Sequence, residues 1–352
     1  MLKQEIPTPA AIVDLDKFER NLQRMADAMR AGGKALRPHF KAHKCVEITR
    51  RQIAVGAVGA CVATVTEAEL LHSAGIGSFL LTSPIADPIK IARLVATGAM
   101  AVVDHVQQVT WYSEAAEAAD QTIELLVDID VGDHRTGARD KAQALEIAEA
   151  IERAPNLILR GIQAYAAYGS HGTGMEDRIR VSREAFALAA ETRAKFLEKG
   201  LASEVLTGGS TGTWNVDTQI LAMTEMQAGS YPLMDLDYKR VDVDFENALT
   251  VFSTVVSANH VDFVTVDAGF KAFSTDRSWG PEAVELPGSG HRWGGDEFSY
   301  IDLKDCTRKP KLGDKLNFLP PHVDPTMNLY DRIYACRGEK VEAVWPTKRL
   351  LL

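Results

Sequence analysis

Short apolar runs alternate with longer amphipathic stretches between about residues 35 and 230. The apolar runs include VGACVAT, SFLLTS, MAVVD, IELLVDIDV, LILRGIQAY and SEVLTGG, and apolar residues recur at helical spacing between them. Such alternation predicts a parallel sheet whose faces are covered by helices. Roughly eight strand candidates favour a (β/α)8 TIM-like barrel over an open sheet. A doubly wound sheet remains an alternative, although no GxGxxG follows an early strand.

The hydrophobic pattern changes after about residue 240. LTVFSTVVSA, DFVTVDAG, KLNFLP and KVEAVWP are β-rich runs broken by Gly, Pro and Asp, and long helical periodicity disappears. This pattern predicts a separate C-terminal antiparallel β domain packed on the barrel, to which the segment before residue 10 could add a strand. We therefore expect a barrel over residues 10–237 and a β domain over residues 238–352 together with residues 1–9.

Composition and charge narrow the function classes. The 352 residues carry a net charge of −9, and 46% of them are hydrophobic. A negative chain without an arginine-rich run lacks the basic face that nucleic-acid phosphates require. No apolar stretch reaches the roughly 18 residues needed to cross a bilayer, and the N-terminus lacks the apolar core of a signal peptide. The four cysteines form no CxxC pair, so we expect free thiols and a cytoplasmic protein.

The segment RPHFKAHK, residues 37–44, contains the first candidate for chemistry. It follows a predicted helix, and its start is typical of a short strand that ends in a loop. Because the active site of a barrel lies at the carboxyl ends of its strands, Lys41 is placed to project into a site. A lysine becomes a Schiff-base nucleophile when it is partly desolvated or lies near other cations. The neighbouring basic side chains are Arg37, His39, His43 and Lys44. On composition alone, a basic surface loop is the more ordinary interpretation.

Two segments rich in Gly, Ser and Thr follow predicted strands late in the barrel. TGGSTGTW spans residues 207–214, and QAGSYPLMD spans residues 227–235. Backbone N–H groups and hydroxyls in such runs suit a phosphate, and the last strands of a barrel are a recurrent phosphate site. The first run alone is equally consistent with a flexible turn, but two runs in neighbouring positions favour a phosphate site. The candidate ligands are Ser210, Thr211, Gly212, Gly229, Ser230 and Tyr231.

Polar side chains also follow two other predicted strands. Arg135 lies in DIDVGDHRTGA, whereas Tyr165 and His171 lie in GIQAYAAYGSH. A tyrosine or an arginine at the end of a barrel strand could face a planar ring. For each residue taken singly, ordinary loop polarity is the more common explanation.

The segment LPPHVDPTMNLYD, residues 319–331, contains His322 and Asp324 two positions apart. In extended structure such side chains share a face, so both could bind one ion at roughly 2.0–2.2 Å. A nitrogen and an oxygen ligand with remaining water sites suit Mn²⁺, Mg²⁺ or Zn²⁺ and select weakly among them. A proline-bent surface strand is the alternative, because a two-ligand pattern is weak by itself.

Taken together, these segments resemble the D-threonine aldolase and D-serine dehydratase family of fold-type III pyridoxal 5'-phosphate (PLP) enzymes, over nearly the whole chain. The resemblance implies an alanine racemase-like barrel, with Lys41 as the Schiff-base lysine and with TGGSTGTW and QAGSY as phosphate-binding segments. It also implies that Tyr165 meets the pyridine nitrogen, that Arg135 lies beside the ring, and that His171 lies near the substrate side chain. VDAGFKAFSTD, residues 266–276, is a further family-like stretch.

The segment PPHVDPTMNLYD is the most specific match and bears on the reaction. Dehydratases of the group typically have cysteine two residues after the metal histidine, whereas aldolases have aspartate, as Asp324 is here. Asp296 in GGDEF matches a further acidic residue near that metal. Two departures, at 166–167 and 298–299, lie near the expected substrate end. They replace a usual His-Gly and a common histidine, so they bear on substrate identity more than on cofactor use.

The resemblance implies a metal-activated, PLP-dependent retro-aldol cleavage of a β-hydroxy D-amino acid of the D-threonine type to glycine and an aldehyde. Mn²⁺ is the expected metal, with Mg²⁺ and Zn²⁺ as alternatives, and the candidate base is His171 or a metal-bound water. A homodimer is implied as well. The alternatives on the same scaffold are a D-serine or 3-hydroxyaspartate dehydratase, a 3-hydroxyaspartate aldolase and a metal-independent racemase. The β domain and the His–x–Asp motif argue against a silent PLP-binding protein, and RPHFKAHK together with PPHVDP argues against a phosphosugar barrel.

Overall fold

The structure, a computed structural model, describes residues 1–170 and 174–349. Their Cα positions cluster into two compact units. The barrel unit comprises residues 24–41 and 48–229. The β unit comprises residues 1–23, 42–47 and 230–349.

Strands and helices alternate up to about residue 230, and strands predominate beyond it. The strands are β1 (Ala10–Asp14), β2 (Ala35–Leu36), β3 (Ala60–Val62), β4 (Phe79–Leu81), β5 (Met100–Val103), β6 (Ile123–Asp128), β7 (Leu157–Ala164), β8 (Val205–Gly208), β9 (Glu225–Met226), β10 (Leu249–Ser257), β11 (Phe263–Val266), β12 (Glu282–Ala283), β13 (Gly290–Trp293), β14 (Ser299–Asp302), β15 (Lys315–Leu319), β16 (Arg332–Arg337) and β17 (Lys340–Pro346). The helices are α1 (Leu15–Gly32), α2 (Val46–Ala54), α3 (Val65–Ser73), α4 (Pro88–Val95), α5 (Val106–Ala118), α6 (Lys141–Arg153), α7 (Ala167–Ser170), α8 (Met175–Glu198), α9 (Trp214–Asp217), α10 (Leu236–Arg240) and α11 (Val323–Met327).

The barrel unit contains an eight-stranded parallel sheet in the order β2-β9-β8-β7-β6-β5-β4-β3. Backbone hydrogen bonds also join the two ends of this order. Val58 N donates to Leu36 O and Cys61 N donates to Pro38 O, each at 2.9 Å. The sheet is therefore closed, and the predicted (β/α)8 barrel is confirmed.

The apolar runs form the interior of this barrel. Cys61, Leu80, Val102 and Leu126, one from each of β3 to β6, are fully buried and pack in one cluster. Asp128 lies two positions beyond Leu126 and therefore faces the same side of the sheet. The interior thus becomes polar toward the carboxyl ends of the strands, where barrels place their sites.

The helices cover the barrel with one apolar face each. In α8, Val181, Ala185, Ala189 and Phe196 are buried at helical spacing, and Gly200 follows the helix with φ +73°. Glycine adopts this left-handed conformation without the penalty that a Cβ brings, so it ends the helix. Among the described residues, no helix combines the length and the apolar character that crossing a bilayer requires.

The β unit contains a nine-stranded sheet with the main path β13-β14-β11-β10-β1-β16-β17, and β15 pairs with β10 and β12. Among the described strands of this sheet, only β1 and β16 pair in parallel, so the expected antiparallel β domain is confirmed with one parallel pair. The N-terminal strand of this sheet is Ala10–Asp14. In the segment before residue 10, which we expected to add a strand, residues 3–5 form a 3-10 turn and Leu2 makes an isolated bridge to Lys340. The domain division at 9/10 and 237/238 remains a proposal, since the compact units change at 23/24 and 229/230.

Candidate active site

A layer of polar side chains crosses four neighbouring strands of the barrel. Asp128, Gln163, Thr207 and Glu225 are paired successively in the registers of β6 to β9. Gln163 Nε2 donates to Asp128 Oδ1 at 2.9 Å, and Thr207 Oγ1 donates to Glu225 Oε1 at 3.2 Å. Gln227 Nε2 bridges Gln163 Oε1 and Thr207 Oγ1, each at 3.1 Å. Because these side chains hydrogen-bond to one another, the layer forms one connected network of buried polar groups.

One end of this network is a buried ion pair. Arg37 Nε lies 2.9 Å from Glu225 Oε1, and the two side chains are only 8% and 7% exposed. Arg37 Nη1 also donates to Ser78 Oγ at 3.1 Å. Removing either partner would leave an uncompensated charge inside the barrel, which is costly.

The other end of the network holds the loop that carries Arg135. Thr136 Oγ1 donates to Asp128 Oδ2 at 2.9 Å, and Gly137 N donates to Asp104 Oδ2 at 3.0 Å. Burial raises the pKa of Asp128 to about 6, against the lowering effect of the hydrogen bonds from Gln163 and Thr136. The loop after β6 is therefore held to the barrel by the two residues that directly follow Arg135.

Arg135 and Tyr165 meet at the carboxyl ends of β6 and β7. The guanidinium carbon of Arg135 lies 5.2 Å from the centroid of the Tyr165 ring, which is cation–π geometry. Tyr165 is half-buried and directly follows β7. The structure thus brings together two residues that the sequence places 30 positions apart.

Lys41 lies in a 3-10 turn, Phe40–Ala42, just after β2, and its side chain is half-buried. Burial raises the pKa of the Cys61 thiol inside the barrel, and the charges of Arg37 and Lys41 oppose that rise. Close by, His39 Nε2 lies 3.0 Å from Thr82 Oγ1. Lys41 is therefore near enough to the barrel interior for its charge to act on a residue of β3.

The glycine-rich loop after β8 is built around Asp217 of α9. Its carboxylate accepts hydrogen bonds from Ser210 N at 3.4 Å and from the Thr213 hydroxyl, and Ser210 Oγ lies 3.0 Å from Thr213 Oγ1. Gly209 has φ +74°, and a Cβ there would collide with the Asp217 carboxylate. A Cβ at Gly212 would collide with the Ser170 carbonyl. The loop therefore requires glycine at both positions.

Asp217 is fully buried, and the Ser182 hydroxyl also donates to it. Burial raises the pKa of Asp217 to about 6, while the hydrogen bonds from Ser182 and Thr213 lower it. Thr211, next to Ser210 in the loop, is buried as well. Asp217 thus fixes the glycine-rich loop through its buried carboxylate, and no sequence pattern predicted this role.

The barrel unit carries the groups that PLP would need. An amine follows β2, a guanidinium follows β6, an aromatic ring follows β7, and a loop rich in N–H groups and hydroxyls follows β8. These groups suit the aldehyde, the ring and the phosphate of that cofactor. Gly229 is half-buried in the barrel unit, whereas Ser230 and Tyr231 are buried in the β unit. Their shared role with the first loop stays a prediction, and His171 lies outside the described residues.

His322 and Asp324 face each other at the start of a short helix. His322 is the N-cap of α11, and its Nε2 lies 3.6 Å from Asp324 Oδ2. This separation lets both atoms reach one ion at roughly 2.0–2.2 Å. The two side chains lie close together, as expected. The segment is not extended as we predicted, because Val323 already begins a helical turn.

A chain of ion pairs supports His322 within the β unit. Asp276 Oδ2 lies 2.7 Å from His322 Nδ1 and 2.7 Å from Arg277 Nη1, and Arg277 Nε donates to Asp237 Oδ2 at 2.8 Å. Burial raises the pKa of Asp276, but the hydrogen bond with His322 and the nearby Arg277 charge lower it below its usual value overall. Asp296, which we expected near the metal, lies 3.6 Å from Lys271 Nζ.

Asp235 holds the backbone at the start of α11. Its carboxylate accepts Val323 N at 2.7 Å and Tyr238 N at 3.0 Å, and the side chain is fully buried. Burial raises the pKa of Asp235 to about 7, against the lowering effect of these two backbone hydrogen bonds. The backbone beside the His322–Asp324 pair is thus fixed from inside the β unit.

Among residues 1–170 and 174–349, no group of three or more His, Cys, Asp or Glu side chains is arranged to hold a metal. The His322–Asp324 pair supplies two side chains that could bind an ion, which would complete its coordination with water or substrate. No sequence-based prediction gave a role to the supporting residues Asp217, Asp235, Asp237 and Arg277. It did single out the stretch 266–276, which ends at Asp276.

Two family models match the chain. The one described as "Alanine racemase, N-terminal domain" matches residues 13–235, and "Putative serine dehydratase domain" matches residues 248–336. The chain is 37% identical to a D-threonine aldolase from Arthrobacter sp, covering 97% of this chain and 92% of the relative. It is also 37% identical to a 3-hydroxy-D-aspartate aldolase from Paracoccus denitrificans (strain Pd 1222), covering 98% and 92%. The crystal structure of D-threonine aldolase from Filomicrobium marinum has a TM-score of 0.94 to this chain at 35% identity, covering 99% and 96%.

Proposed function

Because the chain belongs to the D-threonine aldolase and D-serine dehydratase family of PLP-dependent lyases, we propose that it cleaves the Cα–Cβ bond of a β-hydroxy D-amino acid to give glycine and an aldehyde. The observation that carries this proposal is the facing pair of His322 Nε2 and Asp324 Oδ2, with aspartate where cysteine-type dehydratases have cysteine. D-Threonine is the first substrate we propose. 3-Hydroxy-D-aspartate is the second, since a relative of that name matches at the same identity.

The residues at the carboxyl ends of the barrel strands would hold the cofactor. Lys41 would bind it covalently through its amine, while Tyr165 and Arg135 would contact its ring. PLP, when bound, supplies an electron sink for the electron pair released at Cα. The phosphate ligands we propose are Ser210, Thr211, Gly212, Gly229, Ser230 and Tyr231.

The chain's own residues choose which bond breaks and move the proton. The residues around the substrate would orient it so that its Cα–Cβ bond is the one that breaks. His171 is the proposed base for the β-hydroxyl proton. As that proton leaves, the hydroxyl carbon becomes the carbonyl of the aldehyde, and Cα later takes up a proton to become the CH₂ of glycine.

His322 and Asp324 would bind a divalent metal, whose chemistry there is to polarise the substrate hydroxyl. A neutral nitrogen and a carboxylate suit Mn²⁺ first, with Mg²⁺ and Zn²⁺ as alternatives. A homodimer and a cytoplasmic location belong to the same proposal. Size-exclusion chromatography with light scattering would test the dimer.

The test of the function starts with an absorbance spectrum of the purified protein after PLP is added. D-Threonine is then supplied with and without Mn²⁺, and glycine is assayed. We expect a cofactor band and glycine release that depends on the metal and is lost in His322→Ala. A cofactor band with a 2-oxo acid and no glycine would replace cleavage by dehydration. No band at all would remove the PLP chemistry.

A further inference from the structure

We infer that Asp276 is a positioning residue of the His322–Asp324 site: its carboxylate holds the proton on Nδ1 of His322 and turns Nε2 toward Asp324. This inference rests on the metal proposed for that pair. It assigns a task to a residue outside the pair, in a segment that the proposed function does not use.

The two ring nitrogens of His322 have different neighbours. Asp276 Oδ2 lies 2.7 Å from Nδ1, whereas Asp324 Oδ2 lies 3.6 Å from Nε2. An ionised carboxylate only accepts hydrogen bonds, so it selects the tautomer that carries its proton on Nδ1. The lone pair is then left on Nε2, the nitrogen that faces the second ligand. A carboxylate on the far nitrogen is the arrangement that orients metal-binding histidines and raises their basicity.

Asp276 is itself held in place. Arg277 Nη1 lies 2.7 Å from Asp276 Oδ2, and Arg277 Nε donates at 2.8 Å to Asp237 Oδ2. Asp237 is buried at 6% exposure, so the far end of this chain is anchored inside the β unit. The carboxylate of Asp276 is therefore not free to rotate away from the histidine.

The backbone of the same segment docks on the start of α11. His322 N donates to Ser274 Oγ at 3.1 Å, and Ser274 N donates to Thr326 Oγ1 at 3.1 Å. Two residues of the stretch that ends at Asp276 thus fix both the main chain and the ring of His322. The main-chain contact with Ser274 and the side-chain contact with Asp276 thus hold His322 in one orientation.

Stability alone gives a weak reason for the Asp276–His322 contact. The two side chains are 38% and 19% exposed, and partly exposed ion pairs contribute little to folding. Orientation of a ligand needs little folding energy but a defined geometry. The observed geometry fits that second role.

The test measures metal binding and not turnover. Full-length protein loaded with PLP is titrated with Mn²⁺, and free Mn²⁺ is followed by electron paramagnetic resonance. We expect Asp276→Ala to weaken binding about 10–100-fold, and Asp276→Asn to fall between it and wild type, because the amide keeps an acceptor but loses the charge. Asp302→Asn is the matched control, since Asp302 pairs with Arg292 at 2.7 Å, and we expect it to bind as wild type does.

Two results would overturn the inference in different ways. If His322→Ala bound Mn²⁺ as wild type does, the proposed metal site would be wrong and the inference would fall with it. If His322→Ala lost binding while Asp276→Ala kept full affinity and an unchanged melting temperature, the metal site would stand and the role of Asp276 would be wrong.

Nuclear magnetic resonance of the histidine nitrogens tests the wild-type chain directly. Protein with ¹⁵N-labelled histidine is loaded with Zn²⁺, and His322 is assigned by its absence in His322→Ala. We expect the proton on Nδ1 and the metal on Nε2. A metal on Nδ1, or a proton on Nε2, would contradict the inference even if the Asp276 variants failed to fold.

Discussion

The mouth of the barrel and the His322–Asp324 pair are organised by different physical means. At the barrel mouth, functional candidates follow adjacent strands, and register alone aligns Asp128, Gln163 and Thr207 behind them. In the β unit, the pair is supported by residues from two segments that are distant in sequence, the start of α10 at 235–237 and the loop at 274–277. The first region is ordered by the hydrogen bonds of a sheet, and the second by a chain of ion pairs.

This difference predicts how each region responds to change. A closed parallel sheet tolerates loop changes because the strand ends stay in place. An ion-pair chain depends on every charge in it, because each partner positions the next.

Lys41→Ala should have the largest effect on activity. Removing the amine removes the covalent link to the cofactor, so we expect activity to fall by at least about 10³-fold. The absorbance band of the linked cofactor should disappear at the same time. Lys195→Ala is the control, since this exposed lysine pairs with nearby Glu198 on the surface of α8. Retained turnover in Lys41→Ala would refute the role given to Lys41.

Arg37→Ala should have the largest effect on stability. It leaves Glu225 buried without its partner, so we expect the free energy of unfolding to fall by about 3–5 kcal/mol in urea titrations. Arg93→Ala is the matched control, because the Arg93–Glu69 pair is 46% and 37% exposed. We expect its loss to stay within about 1 kcal/mol. Equal losses in the two variants would show that the barrel network contributes no more than a surface pair.

The sequence predicted the residues at the barrel mouth better than the residues that hold their loops in place. The apolar runs defined the strands, and because parallel strands end at one face, Arg135 and Tyr165 were expected there and do meet. Asp217 was missed, because a buried acid that orders a glycine-rich loop has no signature beyond a Thr and an Asp four residues apart. The structure was needed to show that its carboxylate lies under Gly209.

For the His322–Asp324 pair, the sequence predicted the two residues but not the structure that holds them together. The motif HVD placed His322 and Asp324 together, although the helical turn that brings them close was not foreseen. Asp276 lies 46 positions from His322, and no periodicity relates them. Long-range ion pairs between loops depend on tertiary packing, so the sequence alone could mark the stretch but not its contact.

The raised pKa of Asp217 predicts that the stability of the PLP-free protein depends on pH. Burial raises its pKa to about 6, so between its unfolded value and pH 6 the folded state binds more protons than the unfolded state. Stability should therefore fall as the pH rises from about 4 to 6. We expect this fall to be about 1–3 kcal/mol smaller in Asp217→Asn. Urea titrations at pH 4.5 and 6.5 measure it, and parallel profiles would exclude Asp217 as the cause.

Asp324→Cys should change the choice of metal more than the fold. A thiolate is a softer ligand than a carboxylate and favours Zn²⁺ over Mn²⁺. We expect the ratio of the two dissociation constants to shift toward Zn²⁺ by at least about tenfold, measured by competition titration. Asp331→Cys, at a nearby exposed aspartate paired with Arg332, is the control. An unchanged ratio would exclude Asp324 as a ligand.

The most direct test of the account is to identify the products of D-threonine and 3-hydroxy-D-aspartate by proton nuclear magnetic resonance with Mn²⁺ present. Cleavage of Cα–Cβ predicts glycine and an aldehyde in equal amounts from at least one of the two substrates. Formation of a 2-oxo acid with ammonia, and no glycine from either substrate, would contradict it.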